Sequence, residues 1–353
     1  MSLIDEFLRK VHLQKGSDLH LVAGDPPRMR LHGDLITLET ERLDSERLRS
    51  ELFAIMSEQS RDQFQRHDSA DFAHSIPDVA RFRVNIFRHL NGVGAVFREI
   101  PSKALSLDEL KMPRALHDLA TATRGLILVT GKTGSGKSTT LAAIVDAINS
   151  RLKGHILTIE DPIEFVHQRK LCLISQRQIG VHSPSFADAL HSALREDPDA
   201  ILVGELRDLE TMSIAMTAAE TGVLVLGTLH TNGAAATIDR VVNIFPADKQ
   251  DHVRNMLSTS LRGVISQQLL KKKDGTGRAV ALEILINTAA SANLIRQGKL
   301  EQLESVMQSS GGAAGMCTMD GSLKKLLDDG VISGQEAYLQ ASERSKFEQY
   351  KDA

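Results

Sequence analysis

Nine consecutive residues, Gly131-Lys132-Thr133-Gly134-Ser135-Gly136-Lys137-Ser138-Thr139, place glycines, a lysine and hydroxyls in the order G-x-x-x-x-G-K-[ST]. Glycines let successive backbone N–H groups converge on phosphate oxygens, and a helix opening just after them adds its partial positive charge. Lys137 is then expected to reach the β and γ phosphates of a nucleotide, and the Ser138 hydroxyl to ligate Mg²⁺. An apolar run at residues 126–129 precedes the motif and a helical pattern follows it, which is the strand, loop and helix setting the chemistry requires. The expected nucleotide-binding set is Gly131, Thr133, Gly134, Ser135, Gly136, Lys137, Ser138 and Thr139.

A phosphate cradle binds nucleotide without hydrolysing it, so carboxylates are expected at the ends of neighbouring strands. Glu160, Asp161 and Glu164 follow an apolar strand pattern at 155–159, and Glu205 follows one at 201–203. Open α/β sheets place their ligands just beyond such strand ends. Either cluster can hold Mg²⁺ through water or polarise the attacking water. The Asp that usually holds Mg²⁺ at the end of an apolar strand is replaced here by Gly204, leaving Glu205 as the carboxylate. Ser138, Glu205 and Glu160 are the expected metal-side groups.

These residues need a scaffold, and the pattern around them supplies one. From about residue 114, strands at 125–130, 155–160, 200–204 and 223–229 alternate with helices at 138–150, 185–195 and 208–221. That alternation predicts βαβ units, a parallel sheet and helices on both faces. The first hundred residues read instead as a small mixed unit. It has a helix at 3–11, strands at 18–22, 28–38, 81–87 and 94–100, and a helical stretch at 44–65. Residues 101–113, with a proline at each end, read as a linker, and beyond residue 290 the chain turns helical, with a loose loop expected at 309–315. The division is thus 1–100, 101–113, 114–290 and 291–353.

Length and composition agree. A chain of 353 residues suggests about two domains. A net charge of −3 speaks against a nucleic-acid coat protein, and the run Lys271-Lys272-Lys273 reads as a solvated turn. Aromatic residues are 4% of the chain and Trp is absent, which leaves few platforms for stacking bases. The two cysteines, Cys172 and Cys317, form neither a disulfide framework nor zinc-ribbon spacing, so no zinc is expected and a reducing cytoplasm fits. No apolar run reaches membrane-span length, and the amino-terminal residues lack a signal-peptide pattern, so work at a membrane is expected to go through a partner.

The segments TIEDPIEF, ALREDPDAILVGELRD and GTLHTN, in that order after GKTGSGKST, resemble the type II and type IV secretion ATPase superfamily, nearest its pilus-retraction PilT and PilU branch. GSDLHL and RFRVNIF in the first hundred residues extend the resemblance. It implies a PAS-like α+β amino-terminal domain, a RecA-like P-loop ATPase domain and a helical tail. It further implies Glu164 as catalytic base, Glu205 acting near Mg²⁺, and His230 sensing the γ-phosphate. Arg83 and Arg98 match arginines that reach the γ-phosphate when the domains close. The chain departs from the family in two places: Val223 stands where a second His is usual, and Asn293-Leu294-Ile295-Arg296-Gln297-Gly298 replaces an Ala-Ile-Arg-Ala-Gly-like stretch, which reads closer to PilU-like or divergent paralogues. Missing four-cysteine zinc spacing and a long amino-terminal extension speak against the assembly branch.

The expected activity is hydrolysis of ATP to ADP and phosphate by a hexameric motor that retracts type IV pili in twitching motility. Expected partners are other copies of the chain, the inner-membrane platform protein of the pilus base and a paralogous retraction ATPase, with no nucleic acid. Two alternatives stand beside it: a ring that translocates nucleic acid, and an accessory paralogue regulating another motor.

Overall fold

The protein is described by a computed structural model covering residues 2–31, 34–77, 79–100, 104–275 and 277–351. It divides into two compact units between residues 103 and 104.

The first unit opens with helix α1 (Leu3–Leu13), whose Ser2 cap accepts a hydrogen bond from the Asp5 N–H and whose Ile4, Phe7, Leu8 and Val11 form the buried stripe. Strands β1 (Asp18–Val22), β2 (Arg28–Leu31) and β3 (Asp34–Thr37) follow, then α2 (Ser45–Ala54), α3 (Glu58–His67), β4 (Ser69–Ile76), β5 (Ala80–His89) and β6 (Gly92–Ile100). The strands form one antiparallel sheet in the order β3-β2-β1-β6-β5-β4. Period-two alternation buries Leu19, Leu21, Phe82, Val84, Ile86 and Phe97 against the helices and turns Asp18, Arg83 and Arg98 to the other face. The single strand expected at 28–38 is two strands, with residues 32–33 outside the described residues. The helical stretch at 44–65 is likewise two helices, because Ser57 caps a second one by accepting from the Ser60 N–H.

The second unit contains α4 (Arg114–Leu119), β7 (Gly125–Thr130), α5 (Lys137–Asn149), β8 (His155–Glu160), β9 (Leu173–Gln178), α6 (Phe186–Ala193), β10 (Ala200–Val203), α7 (Leu209–Thr221), β11 (Leu224–Leu229) and α8 (Ala234–Asn243). Then come α9 (Gln250–Ser260), β12 (Leu261–Lys271), β13 (Arg278–Ile286), α10 (Ala289–Gln297), α11 (Leu303–Ala314), α12 (Met319–Asp328) and α13 (Gly334–Gln340). Its sheet runs β13-β12-β7-β11-β10-β8-β9, parallel except where β13 pairs antiparallel with β12. Every residue of β7, β10 and β11 is buried, because both sheet faces are covered. Leu126, Leu128, Ile201 and Val203 pack toward α6 to α10. The alternate residues Ile127, Val129, Ala200 and Leu202 pack toward α4 and α5.

α5 is buried on most of its circumference, from Thr140 to Asn149. At its end Asn149 donates to the Gln168 carbonyl and accepts from the N–H groups of Lys170 and Cys172. Of the residues read as a linker, 101–103 lie outside the described residues, and Leu107 is buried in the second unit's core. The loop expected at 309–315 is the end of α11, closed by Gly315 at φ +69°. Among the described residues no helix is long and apolar enough to cross a membrane.

Candidate active site

The glycine-rich loop joins the centre of the sheet to α5. Gly131, Gly134 and Gly136 all have positive φ, at +140°, +78° and +89°. A Cβ on Gly131 would stand 2.4 Å from the Gln267 carbonyl oxygen, so this glycine lets the loop lie against β12. Gly136 is the cap of α5 and has no side chain to satisfy the first-turn N–H groups, which leaves them to an anionic ligand. Lys137 donates Nζ to the Gly131 carbonyl at 2.8 Å and the Lys132 carbonyl at 3.2 Å. Burial pushes its ammonium below the usual lysine value, and the Glu205 carboxylate opposes that shift. Thr133 and Ser138 are exposed on the loop and first helical turn, and Thr139 is half-buried.

Beneath the loop, Gln267 donates Nε2 to the Ser135 carbonyl at 2.5 Å. The Ser135 hydroxyl and the other Gln267 amide atom, Oε1, are buried without protein partners. Polar atoms in that condition carry a desolvation cost that a bound polar ligand or a water relieves.

Glu205 stands just past β10. Its Oε1 lies 3.7 Å from His230 Nε2, and its Oε2 lies 3.7 Å from Arg207 Nη1. The structure therefore brings Lys137, Glu205 and His230, from three strand ends, to one place. Gly204 sits where β10 runs tight beside β8: a Cβ there would stand 3.3 Å from the Ile159 carbonyl oxygen. Val223 precedes β11 at the opposite end of that strand from His230.

Glu160 has another setting. It is 8% exposed, and its carboxylate accepts from Thr158 Oγ1 at 2.6 Å, Gln176 Nε2 at 3.3 Å and the Glu164 N–H at 3.3 Å. Burial pushes its carboxyl up, with these three bonds offsetting part of the rise. Glu164 itself is exposed, on the turn that follows.

Arg83 and Arg98 belong to the first unit, where they are direct cross-strand partners on β5 and β6. Arg83 Nε lies 3.8 Å from Asp71, and Arg98 Nε donates to Asp18 at 2.8 Å. Four residues were not singled out from sequence: Asp18, Ser266, Gln267 and Glu283. The available signal for Glu283 was a lone acid inside an apolar strand pattern, which a buried partner must justify, and for Asp18 an acid opening one.

A glycine-rich loop between an inner parallel strand and its helix, with a carboxylate and an imidazole at adjacent strand ends, defines a RecA-like P-loop ATPase domain, here following a small α+β unit in sequence. More particularly, the chain belongs to the Type II/IV secretion system protein family, whose profile matches residues 1–323. It is 52% identical over 334 residues, 95% of this chain and 96% of the relative, to the type IV pilus retraction ATPase PilT of Pseudomonas aeruginosa. The type IV pilus ATPase PilU of the same organism is 40% identical over 337 residues, 96% of this chain and 88% of that one. Along its length the chain is thus more similar to that PilT than to that PilU. The crystal structure of the pilus retraction motor PilT with bound ADP matches with a TM-score of 0.92 and 43% identity, covering 99% of each chain.

Proposed function

We propose that this protein is the ATP-hydrolysing motor of type IV pilus retraction, turning nucleotide state into movement of its two units. The observation that carries the proposal is the grouping of Lys137, Glu205 and His230 at the glycine-rich loop, in a chain similar to PilT over nearly its whole length. The N–H groups of Gly131, Thr133, Gly134 and Gly136 and of the first turn of α5, through Thr139, cradle the phosphates, Ser135, whose N–H donates to the Lys132 carbonyl, offers its unpartnered hydroxyl, and Lys137 meets the β and γ oxygens. Glu205, on the γ side, orients the attacking water, and His230 senses whether the γ-phosphate is present. Glu164, presented by a turn that Glu160 anchors, is the other candidate base. Three donors from the chain itself tie the Glu160 carboxylate to that turn and leave one acceptor position on Oε2 for a water of the Mg²⁺ shell.

The donor set suits Mg²⁺, which keeps several waters and takes only one or two protein ligands beside phosphate oxygens. The Ser138 hydroxyl and, through water, Glu205 would hold it; when bound, the ion neutralises charge building on the transferred group. Arg83 and Arg98 approach the γ-phosphate when the units close, which makes hydrolysis and unit position reciprocal. The working form is a homohexamer, and it reaches the membrane through the platform protein of the pilus base, beside a paralogous retraction ATPase.

The test is ATP turnover by the full-length protein and its Glu205→Gln variant, with and without DNA, together with deletion of the gene in its host. Turnover that DNA does not stimulate and filaments that accumulate on deletion support the reading. Filaments that disappear would point to assembly, and stimulation by DNA to a nucleic-acid motor.

A further inference from the structure

The His230 segment ends in a helix that does not cap itself. α8 starts after Gly233, which has φ +92° and no side chain to accept from the first N–H groups. The sheet holds instead the N–H of the cap residue itself and that of the first helical residue. Ser266 on β12 and Glu283 on β13 are direct cross-strand partners. The Ser266 hydroxyl accepts from the Gly233 N–H at 2.9 Å, and Glu283 Oε1 accepts from the Ala234 N–H at 2.6 Å. Helix starts usually carry their own Ser, Thr, Asp or Asn cap, which moves with the helix. Here two consecutive N–H groups are fixed to two strands far away in sequence, so residues 230–232 are positioned by β12 and β13.

The same strands reach the phosphate loop. Gln267, next to Ser266, holds the Ser135 carbonyl. One helical turn into α8, Thr237 Oγ1 bonds Thr231 at 2.8 Å and the Gly233 carbonyl at 2.7 Å, and it lies 3.4 Å from Thr130 Oγ1, the residue before Gly131. The other Glu283 oxygen, Oε2, accepts from the Met319 N–H at the start of α12, so the carboxylate is gripped from both sides. Burial pushes that carboxyl above the usual glutamate range, and the two N–H donors offset part of the cost.

We infer that Ser266 and Glu283 are positioning residues for hydrolysis: together they hold the His230 segment in register with the phosphate loop, Glu283 doing so from an anchorage on the carboxy-terminal helices. The inference rests on the reading of His230 as the γ-phosphate sensor. It touches no group that binds nucleotide, so it predicts a change in the chemical step and not in binding.

A double-mutant cycle on the full-length protein tests it. Glu283→Gln keeps one acceptor oxygen where two N–H groups need one each. It is expected to lower kcat roughly ten- to hundredfold, the scale of a 1 Å displacement near reacting atoms. The Kd for a fluorescent ADP analogue is expected to stay within about twofold, and the loss of kcat to vanish in a His230→Ala background, because residues acting through one group are not additive. Ser266→Ala enters the same cycle and carries the test alone if Glu283→Gln does not fold, with a smaller loss of kcat that also disappears without His230. An equal fold-loss in both backgrounds, or a loss of ADP affinity that accounts for the whole effect, overturns the inference while leaving His230 in its role. Wild-type turnover by His230→Ala itself removes that role, and this inference with it.

Discussion

Arg98 donates Nε to Asp18 at 2.8 Å across the register of β1 and β6, while 70% of its side chain stays exposed. One edge of the guanidinium is therefore fixed by a carboxylate that is itself 5% exposed, and the rest of the planar fork faces outward. Arg98→Lys keeps the charge but cannot hold Asp18 and a phosphate with separate edges. With Arg98 acting on the γ-phosphate, this variant is expected to lose about tenfold or more in kcat while ADP affinity stays unchanged. Steady-state turnover beside equilibrium ADP binding makes the check; a fully active lysine variant would remove Arg98 from the reaction.

Asp18 gives the first unit an acid limit. Burial alone would push its carboxyl up, but the hydroxyl of Ser17 and the guanidinium of Arg98 overcome burial and hold it below the usual Asp value. A carboxyl lowered in the folded state stabilises the fold above its unfolded pKa, about 3.9, and loses that contribution as pH falls through the folded value. Hydrogen-exchange protection of β1 and β6 amides is expected to fall on acidification below about pH 4 in the wild type. In Asp18→Asn the protection is expected to be lower at neutral pH and less dependent on pH. Identical pH profiles for the two proteins would sink the assignment.

Lys137 and Glu205 should separate binding from chemistry. With Lys137 acting on the phosphates as proposed, Lys137→Ala is expected to abolish both turnover and tight ADP binding. Glu205→Gln keeps size and hydrogen bonding while removing the charge, so it is expected to bind ADP nearly as the wild type does. Its kcat should fall by about two to three orders of magnitude, the scale of a lost transition-state interaction. If both variants lose affinity equally, Glu205 belongs to the binding set.

Two loop glycines, both at positive φ, should behave differently. Gly134→Ala meets no atom within 4 Å, so only the left-handed backbone at φ +78° is strained, by about 1–2 kcal/mol. Gly131→Ala meets the Gln267 carbonyl at 2.4 Å and must move β12 or the loop. Its thermal midpoint and ADP affinity should both fall well below those of Gly134→Ala; equal behaviour would mean that the loop shifts freely.

The central strands were legible because a parallel sheet covered on both faces demands unbroken apolar runs, as at Ile127, Leu202 and Leu226. β9 was not, since an edge strand reading Leu-Ile-Ser-Gln-Arg-Gln has no such demand. α9 passes directly into β12 at Ser260 and Leu261 with no glycine or proline to mark the change, and the hairpin of β12 and β13 went unread for that reason. The phosphate loop could be read because its chemistry is local in sequence. The pairing of Arg98 with Asp18, and of Glu283 with Ala234, depends on strand register, which no spacing along the chain reveals.

α5 carries the phosphate loop at one end and, at the other, the Asn149 clasp on residues 168–172. Enclosed on most sides, it cannot roll or slide without opening the packing of the sheet. It works as a fixed strut. In the motor proposed above, α5 would then keep the helix end of the loop in place when the γ-phosphate is lost, and movement would fall to segments less enclosed than this one.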